Sequence, residues 1–160
     1  MARTKRTRKH ERVREKPAEE YAAESEAALS GVLLDSDVVI EVLRGRRRIV
    51  DALRLLEHSG VPTFCTAVTW AEVHAGLRRG EEQVTEEFLQ ARGEVVLDAR
   101  AGRRAGAYLA TFGRSHGVEI ADALIAAAAT TSGLVLWTLN RKHYPMRELR
   151  FWDPAGGRSA

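Results

Sequence analysis

The sequence predicts an α/β domain on a mostly parallel central sheet, and three features predict it. Short apolar runs of strand length alternate with segments of helical period along the chain. Helical segments run up to glycines, at Gly45, Gly60, Gly80, Gly93, Gly117 and Gly133, where a stop signal belongs. Asp35, Glu72, Asp122 and Asn140 stand where an apolar run meets a turn or a helix start, not on solvated faces.

Taken in order, Val32-Leu33-Leu34 reads as a buried strand ending at Asp35. Residues 38–43 carry apolar side chains at helical spacing, and residues 47–58 place Ile49, Leu53 and Leu56 on one helical face. A second strand is expected over residues 62–67, followed by helices over 69–79 and 81–92. Val95-Val96-Leu97 reads as a third strand. A long helix over 100–116 and an alanine-rich one over 120–131 follow, then strands over 134–139 and 149–152. Parallel strands need crossovers of about a dozen residues or more, and the helical segments supply them.

The chain of 160 residues is long enough to bury one core. Its apolar stretches are too short to span a bilayer, and no apolar segment or cleavage site follows the basic N-terminus, so neither a membrane span nor a secretory signal is expected. Cys65 is the only cysteine, which excludes an intramolecular disulfide and a cysteine-based zinc site and points to a reducing, cytoplasmic setting. The net charge of +3 conceals a division. Residues 1–16 hold eight Lys/Arg against two Glu, residues 17–29 hold four Glu and no base, and the rest is nearly balanced. Residues 1–30 are therefore expected to be an extension, disordered or partly helical, whose basic part can meet RNA phosphates only non-specifically. Residues 31–153 form the folded domain and residues 154–160 a flexible tail.

In open α/β sheets, ligands bind outside the carboxyl ends of the strands. Asp35 follows strand one, Glu72 follows strand two through a brief turn, and Asn140 follows strand four, so topology puts three of these residues on one rim. Asp122 opens the helix before strand four and is tied to the rim less directly. Three carboxylates together suit a hard divalent cation such as Mg²⁺ or Mn²⁺, which activates water and shields charge on a phosphodiester. Each residue also has a structural reading. Asp35 can cap the next helix, Glu72 can close a capping box with Thr69, Asp122 can favour its helix dipole, and Asn140 can form a turn. Asp37 is an auxiliary ligand or a second cap, and Asp98 a cap. His143 and Tyr144 read as a loop pair, packed or exposed, with substrate contact as the alternative. His74 reads as a helix-surface residue, and Trp70, Trp137 and Trp152 as packing.

Four segments carry a resemblance: residues 33–40 around Asp35, 69–73 around Glu72, 120–127 around Asp122, and 138–144, Thr-Leu-Asn-Arg-Lys-His-Tyr, around Asn140. Together, in this order and spacing, they resemble PIN-domain proteins, and above all the VapC-type ribonuclease toxins of prokaryotic toxin–antitoxin pairs. The resemblance covers residues 31 to about 153. It implies a Rossmann-like α/β/α sandwich, Mg²⁺- or Mn²⁺-dependent endoribonuclease activity, homodimerisation, and neutralisation by a VapB-like antitoxin. It also implies that Asp35, Glu72 and Asp122 are metal ligands, with Asn140 in a fourth catalytic position where many relatives carry an acid. Two departures stand out: Asp37, where Ser, Asn or Thr is more usual, and the first thirty residues, read either as a real extension or, preferably, as a start assigned too far upstream. Two rivals are a catalytically weak PIN domain that binds RNA or a protein, and a haloacid-dehalogenase-like phosphatase using Asp35 and Asp37. The second lacks the acidic pair that such enzymes carry after a later strand.

Overall fold

Val32–Leu34 (β1) are three consecutive residues with no solvent exposure, and they form the middle of the molecule. The computed structural model describes residues 30–154 and 157–159; the N-terminal extension lies outside the described residues. After β1 come Ser36–Leu43 (α1), Arg47–His58 (α2), Thr63–Thr66 (β2), Ala67–Ala75 (α3) and Glu82–Gln90 (α4). Gly93–Val95 (β3), Ala99–His116 (α5), Ile120–Ser132 (α6) and Val135–Trp137 (β4) follow. A 3₁₀ turn at Arg141–His143 leads to Phe151–Asp153 (β5) and Gly157–Ser159 (β6). The strands join in the order β3-β2-β1-β4-β5-β6; all neighbours are parallel except β5 and β6.

Strand alternation divides the core in two. Leu33 and Leu136 point to one face, which α5 and α6 cover with Ala101, Ala105, Tyr108 and the run Ala126–Ala129. Val32, Leu34, Val135 and Trp137 point to the other, under Val38, Val39, Ile49, Leu53, Leu56, Val73 and Leu89 of α1 to α4. The result is three layers, helix on sheet on helix, the α/β/α sandwich expected. Alanines throughout α6 let α5 and the sheet approach it closely, and Gly133, at φ +67°, supplies the left-handed residue that turns α6 into β4.

Several boundaries differ from the sequence expectation. β3 lies at Gly93–Val95, not 95–97, and Val96 is exposed. Gly93 is thus the first residue of an edge strand and not a helix stop: it sits under the Phe64 ring, where a Cβ would collide. α3 starts at Ala67 because Thr66 caps it, its Oγ1 accepting the Thr69 N–H at 3.3 Å, and it ends at Gly76 instead of Gly80. β5 begins at Phe151, since Leu149 is held in a turn by its N–H bond to the Met146 carbonyl. Residues 157–159, assigned to the tail, pair with β5 as β6. Among the described residues no helix is long and apolar enough to cross a membrane.

Candidate active site: an acidic cleft at the strand ends

Asp35 continues the β1 ladder, donating its N–H to the Trp137 carbonyl at 2.9 Å, and then caps α1 by accepting the Ser36 N–H at 2.8 Å. The capping reading is thus correct, yet it uses only one oxygen. The other accepts the Tyr144 hydroxyl at 2.8 Å. Asp35 is 8% exposed, and burial pushes its carboxyl above the ordinary range. Hydrogen bonds from Tyr144, Thr138 and Ser36 oppose that shift, while the Asp122 charge adds to it.

In the first turn of α1, Asp37 reaches across to the loop after β4. Its Oδ2 accepts the Leu139 N–H at 3.1 Å and lies 3.4 Å from the Thr138 hydroxyl. Thr138 in turn accepts the Asn140 N–H at 3.0 Å. Asp37 is therefore neither a cap nor free: it clamps the segment that carries Asn140. Its second oxygen is buried without a hydrogen-bond partner, and burial, then the Asp35 charge, raises its pKa to about 6.

Glu72 is not the capping-box residue that the Thr69 spacing predicted, because Thr66 already caps α3. Its carboxylate instead accepts the Ser36 hydroxyl, tying α3 to α1. Asp122 accepts the Glu119 N–H at 3.0 Å in a reciprocal capping box at the start of α6. Its other oxygen lies 3.7 Å from His143 Nδ1, while His143 Nε2 lies 3.2 Å from the Asn140 amide nitrogen. His143 thus bridges Asn140 and Asp122.

These groups converge. Asp35, Asp37, Glu72, Asp122 and Asn140 line one open cleft of about 270 Å³, with Ser36, Ile40, His143 and Tyr144 completing its wall. Asp122, whose relation to the rim was the least direct in the sequence, is brought in by the packing of α6 against the sheet. Among the described residues no Arg or Lys is ion-paired with any of the cleft carboxylates. The oxygen-only carboxylate set matches what a hard divalent cation takes. As placed, however, no three His, Cys, Asp or Glu side chains among the described residues are gathered closely enough to cage an ion.

The PIN-domain family profile matches residues 32–149, which span β1 through the whole cleft to the turn before β5. The chain belongs to the PIN-domain family. Its relatives include Ribonuclease VapC10 of Mycobacterium tuberculosis, 36% identical over 118 residues, 73% of this chain and 88% of that protein. Ribonuclease VapC19 of the same organism is 29% identical over 115 residues, 71% of this chain and 92% of that protein. This PIN domain is of the VapC type. Its fold is shared with the DNA-bound VapBC of Salmonella typhimurium, at TM-score 0.66 and 21% identity, covering 79% of this chain and 99% of that one. A toxin–antitoxin complex from Klebsiella pneumoniae has the same fold at TM-score 0.62 and 23% identity, covering 78% and 98%. Membership removes the haloacid-dehalogenase alternative.

Three contributors to the PIN-domain cleft escaped sequence reasoning. Tyr144 is packed, one of the two placements expected for the loop pair, but its hydroxyl also holds Asp35, which no sequence feature indicated. Ser36 holds Glu72, and Thr138 links Asp37 to Asn140. The hydroxyls lie next to acidic or amide positions in sequence, but their partners are 36 and 101 residues away, so no local pattern marks them. Trp137 and Trp152 are core, as expected, with ring centroids 4.4 Å apart. His74 is exposed and stacks on Trp70.

Proposed function

We propose that this PIN domain is a metal-dependent endoribonuclease, the toxin of a toxin–antitoxin pair, hydrolysing RNA phosphodiesters in the acidic cleft. One observation carries the reading. Carboxylates from the end of β1, from α3 and from the start of α6 line a single solvent-open cleft, and no Arg or Lys among the described residues is paired to them. Uncompensated negative charge at one place is costly unless a cation completes it. The names of the curated relatives, both ribonucleases, support the same activity.

Asp35, Glu72 and Asp122 would hold Mg²⁺ or Mn²⁺. Bound there, the ion would supply an activated water and shield charge on the scissile phosphate. The remaining roles belong to the chain. The Ser36 hydroxyl aims Glu72, and Asp37 fixes the Leu139 backbone so that Asn140 stays on the rim. Asn140 offers its second amide N–H toward a phosphate oxygen, while His143, 42% exposed at the cleft, accepts the first at Nε2 and turns Nδ1 toward Asp122, holding Asn140 in place. The fold's likeness to VapBC complexes supports a VapB-like antitoxin as the protein partner. The protein would act in the cytoplasm as a homodimer.

A second reading, a catalytically weak PIN domain that binds RNA or a protein, draws on the looseness of the carboxylate set. Cleavage of RNA with Mg²⁺ or Mn²⁺ separates the two. The parent should cut, and Asp35→Asn and Asp122→Asn should lose at least roughly a hundredfold in rate while keeping the parent's circular dichroism. A parent that binds RNA but does not cut it with either metal establishes the second reading.

A further inference from the structure

Tyr144 closes the 3₁₀ turn after β4, its N–H bonded to the Arg141 carbonyl at 2.9 Å. The side chain then turns inward and is only 4% exposed, packed with the cluster of α5 and α6 residues. A phenylalanine would fill that space equally well. What the tyrosine adds is one hydroxyl, and the hydrogen bond it makes is to Asp35 Oδ2, across 109 positions of sequence. The other Asp35 oxygen accepts the Ser36 N–H. These two donors sit on opposite oxygens and restrict the plane of a carboxylate that lines the cleft. Tyr144 lines the same cleft as Asp37 and Asp122.

We propose that Tyr144 is a positioning residue that holds the Asp35 carboxylate in the orientation a divalent cation requires. This rests on the reading of the cleft as a cation site. Hydrogen-bond partners of metal-binding carboxylates set ligand orientation, and removing one typically costs roughly 10–100-fold in metal affinity. Without the hydroxyl, Asp35 Oδ2 loses its 2.8 Å partner, and the carboxylate is held only by the Ser36 N–H and the Thr138 hydroxyl. The carboxylate is then freer to turn away from the cleft.

The test is a titration of metal-stripped protein with Mn²⁺, read by the loss of the free-ion electron paramagnetic resonance signal. Four full-length chains are compared: the parent, Tyr144→Phe, Asp35→Asn, and Tyr108→Phe. Tyr108 is the matched control. It is equally buried, and its hydroxyl donates to Glu148 at 2.8 Å, but it does not line the acidic cleft. The parent and Tyr108→Phe should bind alike, Asp35→Asn should not bind, and Tyr144→Phe should bind roughly 10–100-fold more weakly. RNA cleavage by Tyr144→Phe should recover most of the parent's kcat at saturating Mn²⁺, with KM for RNA unchanged. If Tyr144→Phe binds as the parent does while Asp35→Asn fails, the positioning role is wrong and the cation site stands. Equal weakening in Tyr108→Phe would make the effect one of general stability and overturn the role. No binding by the parent overturns both the site and the inference.

Discussion

Asp37→Asn should make the metal-free protein more stable at neutral pH, although it removes a charged group from the candidate active site. Burial and the Asp35 charge raise the Asp37 pKa from an ordinary 3.8 to about 6. Below pH 3.8 the carboxyl is neutral in both the folded and the unfolded chain, and it costs nothing. Between that value and about 6 the folded state keeps a proton that the unfolded state releases, so stability falls as the pH rises through this window. Above it the full penalty applies. A shift of this size corresponds to roughly 3 kcal/mol for a fully sheltered group. Asp37 is only half-buried, and solvent screening reduces the effect to about 1–2 kcal/mol. Asparagine keeps an acceptor for the Leu139 N–H and replaces the unpartnered buried oxygen with a neutral amide. Urea unfolding in EDTA at pH 4 and pH 7.5 measures the outcome. The variant should match the parent at pH 4, exceed it by about 1–2 kcal/mol at pH 7.5, and show a shallower fall between them. A residual slope should persist, because burial also raises Asp35. A variant less stable than the parent by the same amount at both pH values refutes the reasoning: the clamp on Leu139 would then outweigh the buried charge.

Other perturbations test the scaffold and the cleft. Gly93→Ala should lower stability by about 1–3 kcal/mol in a thermal melt, because its Cβ would press into the Phe64 ring at the β2–β3 edge. Trp152→Ala should cost about 3–5 kcal/mol by removing the ring packed edge-on against Trp137, and unchanged unfolding would place that contact outside the core. Glu72→Gln should cut RNA at least roughly tenfold more slowly with an unchanged melting temperature, since Glu72 is exposed and, among the described residues, is hydrogen-bonded to Ser36 alone.

Much of this molecule is legible in its sequence, for identifiable reasons. β1 is a run of three apolar residues because both faces of the central strand are covered, and α2 shows one apolar stripe because it is amphipathic. Both patterns are local. β3 is hard to place from sequence because it is an edge strand that buries a single residue, Val95, while the chemically identical Val96 beside it is exposed. The start of α3 is ambiguous in the sequence because Thr66 and Thr69 are both good caps, and only the fold, which uses the Thr69 hydroxyl toward the Leu34 carbonyl, decides between them. In the cleft, Asp35, Glu72, Asp122 and Asn140 stood out by position at element ends, and the fold brings all four to one place. Tyr144, Ser36 and the clamp by Asp37 did not, because each is defined by a partner on another element.

The central claim is that Asp35, Glu72 and Asp122 share one divalent cation. Crystals grown with Mn²⁺ and measured at the manganese absorption edge test it directly. An anomalous peak within about 2–2.5 Å of oxygens from Asp35, Asp122 and a repositioned Glu72, directly or through one water, is the predicted result. A fully occupied peak elsewhere, with these three side chains still tied to Tyr144, Ser36 and Glu119, would contradict it.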